Sequence, residues 1–190
     1  MKIGIIGAMD VEVEHLKAEL MGAQVERVAG TDFCSGRLGE KDVVVVKCGI
    51  GKVNAGICAQ VLADHFGCTH LINTGVAGGI GEGVKIGNMV VASHTVQYDY
   101  DTTAIGEPKG FVMIGSEGVV QLPTSAKHNA VLEKYAEKIY NGVHTGVIAT
   151  GDRFVADCEI ELEVPVSFGG ELLPPMRMTV KVSAGYAPRF

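Results

Sequence analysis

The sequence predicts an α/β fold built on a largely parallel sheet, and three observations predict it. The apolar runs at residues 2–9 (KIGIIGAM) and 42–47 (DVVVVK) are continuous rather than alternating, as in strands covered on both faces. Each leads through a short loop into a helical pattern. A third apolar run, 71–74, opens into a glycine-rich loop at 75–83. Unusual residues therefore gather at strand ends, where open α/β sheets hold their ligands.

Taken in order, residues 2–9 form the first buried strand, and Asp10 is placed to cap the helix that follows. Val13, Leu16 and Leu20 give that helix its apolar stripe, and Gly22 closes it. The strand at 42–47 runs through CGIGKVNAG into a helix of about 14 residues ending near Gly67. Residues 88–92 read as another strand, and 97–112 as an irregular excursion. A helix is expected over 125–139, with Ser125 as cap and Val131, Leu132, Tyr135 and Ile139 as its apolar side. The strand at 143–149 ends in the loop TGDRF, so three strand-end loops, 7–12, 75–83 and 150–155, carry the distinctive residues. Beyond them, CEIELEVPV and MRMTVKVS alternate with period 2 across SFGGELLPP, a hairpin-like pattern.

A chain of 190 residues with 47% hydrophobic and 20% charged residues has a globular composition and the length for a sizeable core. A net charge of −6 without a basic run argues against a nucleic-acid surface, and no apolar stretch is long enough to span a bilayer. The chain opens directly into a strand, so a cytoplasmic location is expected. The five cysteines, Cys34, Cys48, Cys58, Cys68 and Cys158, form no CxxC pair and read as free thiols, mostly buried.

Several motifs fail. GIGKVNAG carries Asn54 where a dinucleotide fingerprint needs glycine, and Val53 follows Gly51–Lys52 where a P-loop needs Ser or Thr. The six histidines show no metal-ligand spacing, and no Ser or Cys stands in a nucleophile elbow. Neither metal nor cofactor is expected. What remains is carboxylate chemistry beside glycine loops, with Glu12 the best-placed group among Asp10, Glu12 and Glu14. The plain alternative for Glu12 is a first-turn acid favoured by the helix dipole.

The segments MKIGIIGAMDVEVEHL, CGIGKVNAG, LINTGVAGGIGEGVKIGNMVVAS, DYDTTAIG and ATGDRFVAD stand in one order. Together they resemble the 5′-methylthioadenosine/S-adenosylhomocysteine nucleosidases of the purine nucleoside phosphorylase superfamily. The resemblance covers residues 1–157 and implies a three-layer α/β fold, a central mixed, mostly parallel sheet flanked by helices. It implies hydrolysis of an N-glycosidic bond, releasing adenine, with Glu12 as the base that polarises water. Met9 and Ile50 would line the ribose and alkylthio side, and Val76, Ala77 and Gly78 the sugar and base. Phe154 would stack on the purine while the Val155 backbone bonds its edge. Loop 4–12 has no Arg, Glu12 would repel phosphate and Val76 has no hydroxyl, so water rather than phosphate is the implied nucleophile. The segment 97–106 resembles one that packs on a partner subunit, implying a homodimer; an ordinary surface loop is the alternative. Val76 and Tyr98 stand where relatives often have Ser and His.

The resemblance breaks after Asp157. A Met–Glu pair that grips the ribose hydroxyls should follow, then a strand ending in an Asp that protonates the leaving purine. Neither motif occurs, and no Asp follows Asp157. Residues 158–190 are thus expected to be an atypical tail, hairpin-like or disordered, on a C-terminally incomplete fold. The abrupt change in mid-motif favours a truncated or frame-altered product over a natural divergent ending, with exposed sheet surface and poor solubility as consequences. Two other functions stay open: a nucleoside-binding relic without turnover, and a nucleosidase for another purine nucleoside such as futalosine.

Overall fold

A computed structural model describes residues 1–153 in full and the backbone of Glu159–Phe168 and Glu171–Lys181. It divides into two compact units, Met1–Ala77 and the residues from Gly78 onward.

The first unit holds β1 (Lys2–Gly7), α1 (Asp10–Ala18), β2 (Met21–Val28), β3 (Thr31–Leu38), β4 (Lys41–Lys47), α2 (Lys52–Asp64) and β5 (His70–Asn73). Its five strands are ordered β2-β3-β4-β1-β5. β1 runs parallel to both β4 and β5, while β2, β3 and β4 pair as an antiparallel meander. The run of four valines explains the three layers. Val43 and Val45 pack with Ile5, Val13 and Leu20 on one face; Val44 and Val46 pack with Ile6, Phe33 and Leu62 on the other. Successive strand side chains point to opposite faces, so an unbroken apolar run is what a strand between two helical layers requires.

The meander edge departs from expectation: residues 21–38, read as no particular element, form β2 and β3. Their signal was present in the turn, because Val28 pairs with Thr31 across Ala29–Gly30, both with positive φ (49° and 81°). That is the geometry of a tight hairpin following the strand twist. The first helix is also corrected at both ends. Met9, not Asp10, is the N-cap, and the helix stops at Ala18 with Glu19 as C-cap, so Gly22 lies in β2. Asp10 is the first helical residue, and its carboxylate accepts from Lys47 instead of capping.

From Gly78 onward, β6 (Met89–Gln97), β7 (Val112–Ile114), β8 (Glu117–Val119), β9 (Leu122–Pro123), α3 (Ala126–Ala136) and β10 (Val143–Thr150) follow. β6 lies between β10, parallel, and β9, antiparallel. The excursion after β6 contains one short 3-10 turn, Thr103–Ile105, whose amide and hydroxyl at Thr103 bond to Asp101. The helix α3 is where the sequence predicts it, but its apolar side is not what it buries. Val131, Tyr135 and Ile139 are 50%, 57% and 77% exposed. The inward positions are Asn129, Glu133 and Ala136, and polar bonds hold them: Asn129 donates to the Ala92 carbonyl at 2.8 Å, and Glu133 accepts from the Thr145 hydroxyl. Hydrogen bonds to a β6 carbonyl and a β10 hydroxyl hold this face of the helix in place of apolar packing.

The last strands, β11 (Glu159–Phe168) and β12 (Glu171–Lys181), pair antiparallel. The register shifts between Val164 and Val166, at Pro165, whose ring nitrogen has no hydrogen to give the ladder. β12 begins at Glu171 and takes in residues the alternation assigned to the connection.

Cys34, Cys58 and Cys68 are buried and Cys48 half-buried, all as free thiols; Cys158 lies outside the described residues. Burial pushes the thiols of Cys48, Cys58 and Cys68 above their ordinary range.

Phe33, fully buried with its ring 5.0 Å from that of Phe66, is the largest side chain of the α2-facing core. Phe33→Ala is expected to cost about 3–5 kcal/mol in chemical denaturation. A loss below about 1 kcal/mol would contradict this packing.

Candidate active site

The sheet order dictates where the first unit gathers its loops. β1 lies between two parallel neighbours, so three chains leave the sheet at the same carboxyl edge. The Cys48 amide bonds to the Gly7 carbonyl at 2.9 Å and the Thr74 amide to the Ile6 carbonyl at 2.9 Å, carrying the ladder to the last residues. Residues 8–9, 48–51 and 74–77 begin there.

Glu12 joins two of these loops. Its Oε2 accepts from the amides of Ala8 at 2.7 Å and Met9 at 3.0 Å. Its Oε1 accepts from the amide of Val76 at 3.0 Å, across 64 residues of sequence. Glu12 is the third residue of α1, so its carboxylate folds back over the helix N-terminus, where unpaired amides and the dipole favour an anion. The capping alternative and the functional one thus occupy the same geometry, and the bond to Val76 is the part that capping does not need. Gly75 permits it. A Cβ at this position would stand 2.7 Å from Oε1, so any side chain would displace the carboxylate.

Met9 is half-buried and contributes its amide to this clamp; Val76 contributes its amide and leaves its side chain 76% exposed. Ile50 is 72% exposed at the foot of α2, its carbonyl taken by Asn54. Ala77 follows Val76 as the last residue of the first unit, and Gly78 begins the second. Phe154 and Val155 lie outside the described residues. Ala8, Gly75 and Lys47 were missed from the sequence. Backbone donors leave no side-chain signature, and Lys47 reads only as the end of an apolar strand.

Lys47 gives its ammonium to Asp10 Oδ2 at 2.8 Å, tying the end of β4 to the start of α1. That bond holds the Asp10 carboxyl below its ordinary range, with the nearby charges of Lys47 and Lys17 adding to it.

The family model of the phosphorylase superfamily matches residues 2–174, running past Asp157. The 5′-methylthioadenosine/S-adenosylhomocysteine nucleosidase of Shewanella denitrificans is 40% identical over 164 residues, 84% of this chain and 68% of that protein. The chain belongs to the 5′-methylthioadenosine/S-adenosylhomocysteine nucleosidase family. A family member from an Exiguobacterium species is 37% identical over 175 residues, 90% of this chain and 72% of its own length. Among solved members, the Streptococcus pyogenes nucleosidase in complex with 5-methylthiotubericidin superposes with a TM-score of 0.76 at 37% identity. That match covers 83% of this chain and 65% of that one. The Streptococcus pneumoniae nucleosidase with a transition-state inhibitor gives 0.75 at 36%, covering 83% and 67%. The chain spans about two thirds of the length of these relatives.

The Asp10–Lys47 pair sets a pH dependence. A carboxyl lowered on folding adds stability above its unfolded value, near 3.8, and that stability is lost as pH falls through the folded value. Lys47→Ala should therefore lower the thermal midpoint slightly at pH 7, and the gap from the parent should close in acid. A gap that is constant down to strongly acid pH would show that the pair does not couple to folding.

Proposed function

We propose that this chain hydrolyses the N-glycosidic bond of 5′-methylthioadenosine and S-adenosylhomocysteine, with Glu12 as general base. The observation that carries this is the main-chain clamp on Glu12. A carboxylate offers about four acceptor sites. Oε2 fills two of its own with Ala8 and Met9, and Oε1 fills one with Val76. One site on Oε1 is left for a water molecule, on a group that three amides hold at the sheet edge.

In this reading the bond from ribose to purine breaks with its electron pair leaving on the base. The sugar carbon becomes oxocarbenium-like, the carboxylate stabilises that cation, and Oε1 takes a proton as the water adds; the departing purine takes one proton from solvent and Glu12 returns its own there, so adenine leaves neutral. The resemblance assigns Met9 and Ile50 to the ribose and 5′ substituent, Val76, Ala77 and Gly78 to sugar and base, and Phe154 and Val155, which lie outside the described residues, to the purine. The reaction consumes one water and the glycoside, and the nucleophile is activated by the carboxylate alone.

The proposal extends to a homodimer through residues 97–106, supported by Tyr100 and Ile105, which are 41% and 78% exposed. A cytoplasmic setting is supported by the four described cysteines, all free thiols. Among the described residues no helix is long and apolar enough to cross a membrane. A second reading, nucleoside binding without turnover, rests on residues 158–166, where CEIELEVPV stands in place of the Met–Glu pair that the resemblance implies. General acid catalysis of purine departure is typically worth about 10²–10⁴-fold.

Adenine release from 5′-methylthioadenosine tests the proposal. Glu12→Gln keeps the bonds from Ala8 and Met9 through its carbonyl but loses basicity and the bond from Val76. Turnover should fall by about 10²–10⁴-fold with nucleoside affinity nearly intact. Equal turnover would remove Glu12 from the chemistry. Binding without release by the parent chain would establish the second reading.

Gly75→Ala is expected to lower turnover by about 10²-fold, since a displacement near 1 Å suffices for that. An unchanged rate would show that the approach of Gly75 to Oε1 has no bearing on catalysis.

A further inference from the structure

Lys47 ends the apolar strand β4, and the proposed chemistry makes no use of it. Val43, Val45 and Lys47 alternate onto one face of the strand, the face that packs on Val13 of α1. A row of core residues thus ends in a cation at the sheet edge. Its ammonium donates to Asp10 Oδ2 at 2.8 Å, and Asp10 opens the same helical turn that carries Glu12. On the other side of β1, that turn is held by the bond from the Val76 amide to Glu12 Oε1 at 3.0 Å. Between the two lies an apolar contact. Val13 is fully buried, and a Cβ on Gly7 would stand 2.6 Å from its Cγ1.

From this arrangement we infer that Lys47 is a positioning residue of the proposed reaction, acting through Asp10 on the place of Glu12. The inference rests on Glu12 being the base. The Val13 contact sets how near the first turn of α1 comes to the sheet. Apolar contact has no direction, so it leaves the turn free to rotate over the end of β1. Such a rotation would carry Glu12 along the line from β4 to β5. The two polar bonds oppose it, one to the end of β4 and one to the loop after β5. The side chains of Lys47 and Asp10 are 44% and 69% exposed, so the pair contributes little to stability. Catalysis is more demanding, because a displacement of about 1 Å can cost about 10²-fold in rate. The pair therefore matters more to turnover than to folding.

The test combines turnover with amide hydrogen exchange in the 190-residue chain. Lys47→Ala should lower kcat for adenine release about tenfold with KM within about twofold, the thermal midpoint moving only slightly. The Val76 amide should exchange about tenfold faster, while the Val45 amide inside β4 should be unchanged. Lys47→Arg keeps a cation for Asp10 and should restore both to within about threefold. Asp10→Ala should reproduce the loss, and adding it to Lys47→Ala should cost nothing more, since both remove one interaction. Raised ionic strength should narrow the gap between the parent and Lys47→Ala, as screening weakens an exposed pair. A loss in Lys47→Ala with none in Asp10→Ala would overturn the inference, by showing that Lys47 acts alone. Unchanged Val76 exchange in both variants would overturn it as well, whatever turnover does. If the parent chain releases no adenine, the hydrolase reading fails, and Val76 exchange alone decides whether the pair fixes Glu12.

Discussion

Everything at the candidate site depends on β1 being enclosed by two parallel strands. Because β4 and β5 both run alongside it, their loops leave the sheet at the same edge as residues 8–9, and the Val76 amide comes within reach of Glu12. With β5 paired elsewhere the Val76 amide would not reach Glu12, and with β4 elsewhere Lys47 would not reach Asp10. The sheet in turn is held by four valines shared between two cores, so the packing that stabilises the first unit also aligns the site.

Parallel strand pairing recurs in the second unit with a different fastening. There β6 and β10 end side by side, and the chain beyond β10 is fixed by Tyr98 and Asp99 rather than by a helix N-terminus. In both units a glycine makes the close approach possible: Gly75 beneath the Glu12 carboxylate, Gly151 against the Tyr98 ring. Glycine at such points is a packing requirement, since a single added carbon would occupy the space of a functional atom.

The parts of this arrangement legible in sequence are those written in side-chain chemistry and period. The unbroken run DVVVVK, the glycine loops at strand ends and the acid at position 12 all announced an α/β sheet with its site at one edge. The meander strands β2 and β3 did not, because mixed polar strands at a sheet margin lack a continuous apolar run. For α3 the periodicity was real but faced outward: Asn129 and Glu133 bond to the strands, and no apolar count contains that preference. The clamp on Glu12 was invisible for another reason. Its donors are the backbone amides of Ala8, Met9 and Val76, which any residue but proline supplies.

The central claim is that geometry set by main-chain donors, and not the mere presence of a carboxylate, makes Glu12 the base. The most direct measurement is single-turnover adenine release by Glu12→Asp beside the parent chain. Aspartate keeps the charge but is one methylene shorter, so it cannot reach the amides of Ala8 and Met9 and that of Val76 together. The account predicts a rate about 10²-fold lower with nucleoside affinity unchanged. A rate equal to the parent's would show that the carboxylate acts wherever it lies, and that the clamp serves only to cap the helix.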